Sequence, residues 1–535
     1  MNNTIETLNN KQNKVENTLT LEYKRKTGTY YTDMLLTDKL MHELVEYLLT
    51  QYSLDEIVNK RLLEPCVGMG SYIFSYLKAI NNLNITKQQA EKLLDNIYVA
   101  DINVEVLTQY KENLKELVKT FWNIGLKEEY FKTHIGSGLI IDVTSETPEY
   151  IPISKAFNQK NLENTFDIII TNPPYKQLRN TKWTKHKQAN YDIIKGILTP
   201  KYKYASESIL DLYKIFTEEI IIKYATNGAI ISLLIPMTIL TNFTNTRLRT
   251  HIINDNEILD IKQIENPKGI VKANVPLASI LFKKGGTTSK FTITKNYPIN
   301  TEKIEMDIDE IRNEKQGNKI YPLTREEFEI KSKMEKFKTL GEFSGVEVYQ
   351  GEYKTYGIES KVKTDEFNKI VLNGRNIVKY GVDLENDLEG YTSEENLKKL
   401  RKYKHINQTR IACRQIANIN IKSRFFFAKI ENGEVLRNTT NYIISNGDTS
   451  LDYLLAVLNT KIIEWYYNLH NTDKHITAES LKHLPIPDED LEITRLSKEY
   501  QKEHRQEILD EIERKVRKIY GIEKKNKWKT QKRKV

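Results

Sequence analysis

The stretch FDIIITNPPY, residues 166–175, decides the fold. The largely apolar run from Phe166 to Ile170 is typical of a buried strand. It leads directly into a loop of four residues: Asn172, Pro173, Pro174 and Tyr175. Because proline has a fixed φ and no N–H, this loop is rigid and offers few donors to compete with its acceptors. The pattern predicts a stiff polar site at the end of a central strand.

The chemistry of this loop suits a planar amine. An exocyclic amine on a nucleobase is a poor nucleophile because its lone pair is delocalised into the ring. The side-chain oxygen of Asn172 and the carbonyl of Pro173 are two acceptors that can draw out its hydrogens. Tyr175 adds an aromatic face on which a base can stack. An ordinary rigid turn is the competing interpretation.

A second motif lies upstream, in LLEPCVGMGSYIF, residues 62–74. It reads as a strand ending at Glu64, a tight turn with Gly68 and Gly70, and the start of a helix. This is the pattern of a nucleotide-binding corner in a doubly wound fold. A third glycine at dinucleotide spacing and a Gly-Lys-Ser/Thr phosphate loop are both absent from it. The acid at the strand end favours a cationic ligand over a pyrophosphate.

The next strand, in IYVADIN, residues 97–103, ends at Asp101. An acid at this position can accept both hydroxyls of a ribose, or it can cap the helix that begins near Val104. Combined with the glycine turn one strand earlier, it describes a site for an adenosine whose tail carries a positive charge near Glu64. S-adenosylmethionine fits that description.

Composition and charge set the broader frame. The chain has 535 residues, a net charge of +9 and two cysteines, Cys66 and Cys413. The length predicts more than one domain, and two distant cysteines support neither a disulfide framework nor a cysteine zinc site. No metal-ligand spacing stands out among the nine histidines. Without a signal peptide or an apolar run long enough for a bilayer, we expect a cytoplasmic protein with no membrane contact.

Four motifs in this order resemble those of the amino-methylating DNA methyltransferases: Gly28–Thr32 (GTYYT), Glu64–Gly70 (EPCVGMG), Asp101–Asn103 (DIN) and Asn172–Tyr175 (NPPY). The order is similar to that of the gamma subgroup, the TaqI-type N6-adenine enzymes of restriction-modification systems. The resemblance covers residues 24–285 best. It is weaker over 340–490, where LNGRNIVKY and TNYIIS resemble the family's specificity domain.

The resemblance implies a role for each matching residue. In the cofactor site, Thr29, Tyr30 and Tyr31 would cover the methionine end of S-adenosylmethionine. The cradle and the ribose contact would come from Glu64, Gly68, Gly70, Asp101 and Ile102. The catalytic residues would be Asn172, Pro173, Pro174 and Tyr175. Two family features lack a match: Ser137 stands where an acid usually contacts the adenine, and Asn266 to Pro276 contains no second stacking aromatic.

The fold class implied is α/β, a doubly wound class I methyltransferase sheet with a C-terminal mixed α+β target-recognition domain. Alternating strands and helices up to about residue 285 support the same class. We predict an N-terminal arm (1–27), an S-adenosylmethionine-dependent methyltransferase domain (28–285) and a linker with peripheral strands (286–340). A target-recognition domain (341–490) and a charged helix with a basic tail (491–535) follow.

Two groups of residues are candidates for DNA contact. The segment after Tyr175 mixes lysine and arginine with aromatic residues, as docking of a polyphosphate beside an extruded base requires. Its candidates are Lys176, Arg179, Lys182, Trp183 and Lys185. In the C-terminal half, RIACRQIAN contributes Arg410, Arg414 and Gln415, whose side chains have base-reading chemistry. A disordered basic loop is the competing interpretation of the first group.

The sequence predicts methyl transfer from S-adenosylmethionine to the N6 amine of adenine in a specific duplex DNA sequence, by base flipping. We expect the protein to act as a monomer on DNA, with a separate restriction endonuclease as a possible partner. Two alternatives stay open: methylation of another amine (cytosine N4, RNA or protein glutamine), and a non-catalytic DNA-binding specificity protein.

Overall fold

The computed structural model describes most of the chain between residues 32 and 522. The described residues are 7, 10, 32–136, 152–178, 185–207, 210–265, 275–312, 317–353, 360–385, 390–417, 423–431, 433–471 and 475–522. The chain divides into two compact units, Met1–Pro322 and Leu323–Val535. Each unit has its own sheet and its own hydrophobic core.

The first unit is built on a mixed sheet of nine described strands in the order β3-β2-β1-β4-β5-β7-β6-β8-β9. The strands β1 to β5 are parallel neighbours, whereas β7 runs antiparallel to both β5 and β6. The strands are β1 Leu62–Glu64, β2 Ile97–Asp101, β3 Lys132–Ile135, β4 Phe166–Thr171, β5 Ala225–Pro236, β6 Asn256–Ile264, β7 Leu277–Lys284, β8 Lys290–Tyr297 and β9 Glu302–Asp307. The predicted doubly wound α/β sheet is confirmed.

Helices connect the parallel strands and form the core against them. Those of the first unit are Met34–Gln51, Leu54–Val58, Ser71–Asn81, Lys87–Asp95, Val104–Trp122, Ile153–Ala156, Lys185–Leu198, Leu212–Glu219, Thr238–Thr241 and Thr246–Asp255. Leu44, Tyr76 and Leu114 from three of these helices pack with Val99 and Ile168 of the sheet in one buried cluster. Apolar residues at helical spacing on one side of each helix explain this burial.

From β1 the sheet extends in one direction through β2 and β3, and in the opposite direction through β4 and β5. The strand order therefore reverses between β1 and β4. At such a switch point the loops after neighbouring parallel strands diverge and leave a crevice at the carboxyl edge. Glu64, Asp101 and Thr171 end three adjacent strands at this edge. The topology therefore brings Glu64 and Asp101, two of the residues predicted to bind a ligand, to the same edge as the strand that precedes Asn172.

The region 286–340, predicted as a linker with peripheral strands, belongs mainly to the first unit. Its strands β8 and β9 complete the nine-stranded sheet, with β8 parallel to β6. Phe291, Ile293 and Met306 are buried there, because alternate residues face the sheet's covered side. The compact unit ends at Pro322.

The second unit is mixed α+β, as predicted. Its sheets have the orders β10-β18-β15-β16, β14-β11-β17 and β12-β13. The strands are β10 Val346–Gln350, β11 Lys369–Leu372, β12 Ile377–Val378, β13 Gly381–Val382, β14 Gly390–Thr392, β15 Arg410–Arg414, β16 Phe427–Ile430, β17 Val435–Leu436 and β18 Thr440–Ser445. The helices are Arg325–Met334, Glu394–Lys398, Tyr403–Ile406, Leu451–Leu458, Lys461–His470, Ala478–Lys482, Leu491–Glu503 and Gln506–Ile519.

Two stretches whose sequence pattern indicates one continuous helix each, 451–469 and about 490–522, are broken in the structure. The apolar series from Leu451 to Leu469 is divided because Thr460 takes an extended conformation and begins a second helix. The charged stretch from about 490 to 522 is divided at His504, whose φ of 53° ends a helix in the left-handed region. Apolar periodicity continues across both breaks, so the pattern alone does not reveal them.

Among the described helices, none is both long and apolar enough to cross a membrane.

Candidate cofactor and substrate site

The glycine turn after β1 is tight and leads into a helix, as the sequence predicts. Gly68 and Gly70 have φ values of 52° and 94°, and Gly70 precedes the helix Ser71–Asn81. A Cβ on Gly70 would lie 2.6 Å from the Phe74 ring and 2.7 Å from the Tyr110 ring. Glycine is required at this position by both the backbone conformation and the space.

Glu64 is a buried carboxylate at the start of this turn, with 1% of its surface exposed. Among the described residues, its Oε2 has no hydrogen-bond partner. Burial, and secondarily the charge of Asp101, raises the pKa of Glu64 well above the ordinary glutamate value. A buried acid of this kind is costly unless something compensates its charge. A cationic ligand group would do so.

Asp101 links the loops after β1 and β2. Its Oδ2 accepts from the Gly68 N–H at 2.9 Å, and its Oδ1 accepts from the Asn103 N–H at 2.9 Å. Burial raises the pKa of Asp101, against backbone hydrogen bonds from Asn103, Gly68 and Ile102 that lower it. The cap of the following helix is Asn103 instead, through Glu105 and Val106. Since a carboxylate has about four acceptor sites and three backbone N–H groups bond this one, Asp101 retains capacity for about one further donor, such as a ribose hydroxyl.

Asn172 is held in place by a residue from the N-terminal part of the chain. Its Nδ2 donates to the hydroxyl of Thr32 at 2.8 Å, across 140 positions of sequence. This bond fixes the amide, and thereby the direction in which Oδ1 can accept. Thr32 directly follows the GTYY segment and precedes Asp33, the cap of the helix Met34–Gln51. Thr32 is the last residue of the GTYYT motif, and the family resemblance implies no role for it.

The prolines and Tyr175 complete a rigid loop. Pro173 is buried, and Pro174 and Tyr175 are half-buried. The Tyr175 hydroxyl donates to the carbonyl of Leu234 in β5 at 2.8 Å, and its ring packs against the core. Burial raises the pKa of Tyr175 well above the ordinary tyrosine value. The phenol therefore serves as a neutral anchor that fixes the ring.

The segment after Tyr175 begins and ends at neighbouring positions in the structure. Backbone hydrogen bonds join Lys176 to Leu212 at 2.9 Å and Leu178 to Leu210 at 2.8 Å. Of the first group of predicted DNA contacts, Lys176 is half-buried at this junction, and Lys185 begins the helix Lys185–Leu198. Arg179, Lys182 and Trp183 lie outside the described residues, as do Thr29, Tyr30, Tyr31 and Ser137.

The prediction that Arg410 contacts DNA is corrected by the structure. Its side chain is fully buried, and its Nη1 donates to both oxygens of Glu352 at 3.1 and 3.2 Å. Its Nη2 donates to the Glu434 carbonyl, and the guanidinium lies 5.0 Å from the Tyr442 ring centroid. Arg410 is thus a structural residue that joins three segments of the second unit.

Arg414 and Gln415 lie at the end of the same strand in more accessible positions. Both are half-buried. Arg414 donates from Nε to the Ile377 carbonyl at 2.7 Å, and its guanidinium stacks 4.0 Å from the Phe426 ring centroid. Gln415 uses its backbone N–H for Thr439. Their roles in DNA contact stay predictions.

In the part of the chain that the structure describes, no group of three or more His, Cys, Asp or Glu side chains is arranged to hold a metal ion. The chemistry of the site rests on the carboxylates, the amide and the ring described above.

The sheet order, the glycine turn and the acidic strand ends define a methyltransferase-like α/β fold with a mixed central sheet. Residues 75–270 match the family model described as Eco57I restriction-modification methylase. Residues 369–486 match the model described as TaqI-like C-terminal specificity domain. The chain thus joins a region similar to restriction-modification methylases to a region similar to TaqI-like C-terminal specificity domains. No curated protein matches the sequence significantly.

Solved structures support the fold. The chain is similar to the Type IIL restriction-modification enzyme MmeI in complex with DNA, at 12% identity and a TM-score of 0.57, over 95% of this chain and 78% of that one. It is similar to the DrdV–DNA complex at 11% identity and a TM-score of 0.55, over 93% and 59%. It is also similar to a nuclease-deletion mutant of the Type ISP enzyme LlaGI with a DNA substrate mimic, at 10% identity and a TM-score of 0.52, over 89% and 55%.

Proposed function

We propose that this protein is a site-specific DNA methyltransferase that transfers a methyl group from S-adenosylmethionine to the N6 amine of adenine. The observation that carries the proposal is the amide of Asn172. It stands at the end of β4, fixed by Thr32, beside the strand whose end carries Glu64 and the glycine turn. An acceptor for an amine and a cradle for a cationic nucleoside therefore meet at one edge of the sheet.

The residues present fit S-adenosylmethionine. The Oε2 atom of Glu64 is buried and, among the described residues, unsatisfied, which suits a cationic group. Gly68 and Gly70 give the turn its tight backbone, and Asp101 has an acceptor site for a ribose hydroxyl. Thr29, Tyr30, Tyr31 and Ile102 are proposed to complete the cofactor site. When bound, S-adenosylmethionine supplies an activated methyl group.

The loop Asn172–Tyr175 would prepare the target amine. Asn172 Oδ1 and the Pro173 carbonyl accept the two amine hydrogens, which localises the nitrogen lone pair and makes the amine nucleophilic. Tyr175, fixed by its bond to Leu234, stacks on the base. Since an N6 amine is inaccessible within a stacked duplex, the base must be flipped out. The methylated nitrogen loses its extra proton to solvent.

DNA recognition would be divided between the two units. Cations around the site neutralise phosphates, and the specificity domain reads base edges through residues such as Arg414 and Gln415. We propose that the protein acts in the cytoplasm as a monomer on duplex DNA and serves as the modification enzyme of a restriction-modification system. A separate endonuclease would be its partner.

The test is transfer of tritiated methyl groups to unmethylated DNA, followed by nucleoside chromatography. We expect label in N6-methyladenine, and a fall of about 100- to 1,000-fold in kcat for Asn172→Ala, the range seen on removal of one preorganised polar group. Asn59→Ala, which removes an exposed helix-capping amide, is the matched control. Label in N4-methylcytosine, RNA or protein would overturn the substrate. DNA binding without any transfer would indicate a specificity protein.

A further inference from the structure

After the loop Asn172–Tyr175, the described residues between Lys176 and Leu212 pack around a small hydrophobic core. This core is a buried cluster of its own: Leu178, Ile194, Leu198, Tyr202, Ala205, Leu210, Leu212, Ile215 and Phe216. The part from 192 to 207 is therefore held on a core. Its last turns, from Lys201 to Glu207, alternate between exposed and buried residues. A surface presented by these turns has a defined shape.

Glu218 fixes the backbone of these turns. Its carboxylate is 4% exposed and accepts three consecutive backbone N–H groups, from Lys203 at 2.7 Å, Tyr204 at 3.0 Å and Ala205 at 2.6 Å. A carboxylate bound by several backbone donors is held by charge-assisted hydrogen bonds. Lys203 itself is exposed, so the buried acid sets the position of an exposed cation.

A second set of bonds ties the same turns to the loop after β5. Glu207 accepts from the Arg247 N–H at 2.8 Å, at the start of the helix Thr246–Asp255. The fully buried Lys214 donates to the carbonyls of Glu207 at 2.9 Å and Thr244 at 3.0 Å. Tyr204 stacks on His251 of that helix, with ring centroids 4.0 Å apart. The two loops therefore form one continuous surface.

This surface is basic and partly aromatic. Besides Lys203 and Tyr204 it contains Arg247, whose side chain is 64% exposed, and Phe243, which is 54% exposed. The ammonium of Lys319 lies 3.9 Å from the Phe243 ring centroid. An exposed phenylalanine under a cation, beside further cations, combines charge with a stacking face, as nucleic-acid surfaces do.

The acids near this surface are engaged locally. Glu207 bonds the Arg247 backbone and lies 3.9 Å from its Nε, and Asp255 bonds His251 Nδ1 at 2.6 Å. Glu218 is buried beneath the turns. The side chains at this surface that are not buried carry three positive charges, on Lys203, Arg247 and Lys319, against two negative charges, on Glu207 and Asp255. The balance is slightly positive, which fits a polyanion.

We propose that Lys203, Tyr204, Phe243, Arg247 and Lys319 form a second contact surface for the phosphodiester backbone of the duplex that carries the target base. Glu218 is its positioning residue. The inference rests on the proposed function and adds a surface beyond the residues that the sequence indicated. Lys203 and Arg247 each neutralise a phosphate, and Glu218 holds Lys203 at the required place.

The test compares the double variant Lys203→Ala/Arg247→Ala with the wild-type full chain. Affinity for a duplex of about 30 base pairs is measured by fluorescence anisotropy between about 50 and 300 mM KCl. Loss of two phosphate contacts should weaken binding roughly 10- to 30-fold near 150 mM salt and reduce the slope of log K against log salt by about 2. The affinity for S-adenosylmethionine, measured by calorimetry, should stay unchanged.

The matched control is Lys87→Ala/Lys92→Ala, which removes two exposed cations from the helix Lys87–Asp95 in the same unit. It should leave the salt slope unchanged. An unchanged slope in Lys203→Ala/Arg247→Ala, with methylation intact in the wild type, would overturn this surface alone. A wild type that neither methylates nor binds DNA would instead overturn the proposed function.

Glu218→Gln tests the positioning role, since one carboxylate oxygen becomes an amide nitrogen that cannot accept the backbone N–H of Lys203, or those of Tyr204 and Ala205. We expect the salt slope to fall by about 1, with kcat at saturating DNA unchanged. Because Glu218 acts through Lys203, adding Glu218→Gln to Lys203→Ala/Arg247→Ala should cause little further loss of affinity. A fully additive loss would show that Glu218 only stabilises the fold, and would contradict its role here.

Discussion

Two buried carboxylates, one in each unit, have opposite environments. Glu352 in the second unit has 1% of its side chain exposed, and both of its oxygens are bound by Arg410. The Leu436 N–H adds a further bond at 3.0 Å. Glu64 in the first unit is equally buried, yet within the described residues its Oε2 has no partner.

The difference between the two environments indicates a structural role for Glu352 and a ligand-binding role for Glu64. A buried acid that is fully paired holds segments together, and removing its partner leaves a charge without compensation. A buried acid with an unused oxygen costs stability and is retained where a ligand supplies the missing partner. On this reasoning Glu352 belongs to the framework of the second unit, and Glu64 stays a predicted residue of the ligand site.

The largest effect is expected at the paired carboxylate. Arg410→Ala should lower the free energy of unfolding of the second unit by about 3–5 kcal/mol, because Glu352 is left buried and uncompensated. Urea denaturation followed by circular dichroism measures this. Arg401→Ala, at an exposed arginine, should change stability by less than about 0.5 kcal/mol. Normal stability combined with lost DNA binding would restore Arg410 as a DNA contact and break the comparison.

The glycine turn beside Glu64 should show the next largest effect. Gly70→Ala places a Cβ against two buried rings at a φ of 94°, so we expect a loss of about 2–4 kcal/mol in stability. Gly196→Ala is the matched control, because a Cβ there meets nothing within 4 Å and should stabilise its helix by up to about 1 kcal/mol. Thermal unfolding of both variants is the measurement. Equal melting temperatures would mean that the turn relaxes easily.

Removing the carboxylate charge of Glu64 should lower the affinity for the ligand without destabilising the fold. Glu64→Gln is expected to reduce affinity for S-adenosylmethionine about 10- to 100-fold in calorimetry, the range for a hydrogen bond to a charged group. Glu112→Gln, at an exposed helix position, should have no effect. Unchanged affinity in Glu64→Gln would remove Glu64 from the cofactor site.

The same variant has a pH signature. Because the pKa of Glu64 is raised in the folded state, the folded protein holds this proton more tightly than the unfolded chain. The stability it contributes is present below the unfolded pKa of about 4.3 and is lost as pH rises through the folded pKa. Without ligand, Glu64→Gln should therefore lose less stability than the wild type as pH rises above this range. A steeper loss in the variant would contradict the raised pKa.

Sequence patterns located the strand ends well because burial and turn chemistry are local signals. The run Phe166 to Ile170 and the end of β2 at Asp101 were both found in this way. Arg410 was misjudged because its partner Glu352 is 58 positions away. A basic residue in a polar segment has the same sequence pattern whether it is buried or exposed.

The breaks at Thr460 and His504 were missed for a related reason. Each depends on the conformation of one residue inside a continuous apolar or charged pattern. The hydrogen bonds of Glu218 and Lys214 are also not predictable from the sequence, because each side chain bonds backbone groups of another segment. Backbone acceptors and donors carry no residue-type signal.

The smallest predicted effect concerns the contact between Thr32 and Asn172, which spans 140 positions. Thr32→Val keeps the side-chain volume but removes the acceptor for Asn172 Nδ2. If this bond only orients the amide, kcat should fall about 3- to 10-fold, corresponding to roughly 1 kcal/mol for one neutral hydrogen bond. Single-turnover methyl transfer at saturating cofactor measures it, with Thr50→Val at an exposed threonine as control. Combined with Asn172→Ala, the substitution should have no further effect on kcat, since the amide it orients is gone. An independent loss in the double variant would show that Thr32 acts on the site through another group, such as the neighbouring segment that carries Tyr31.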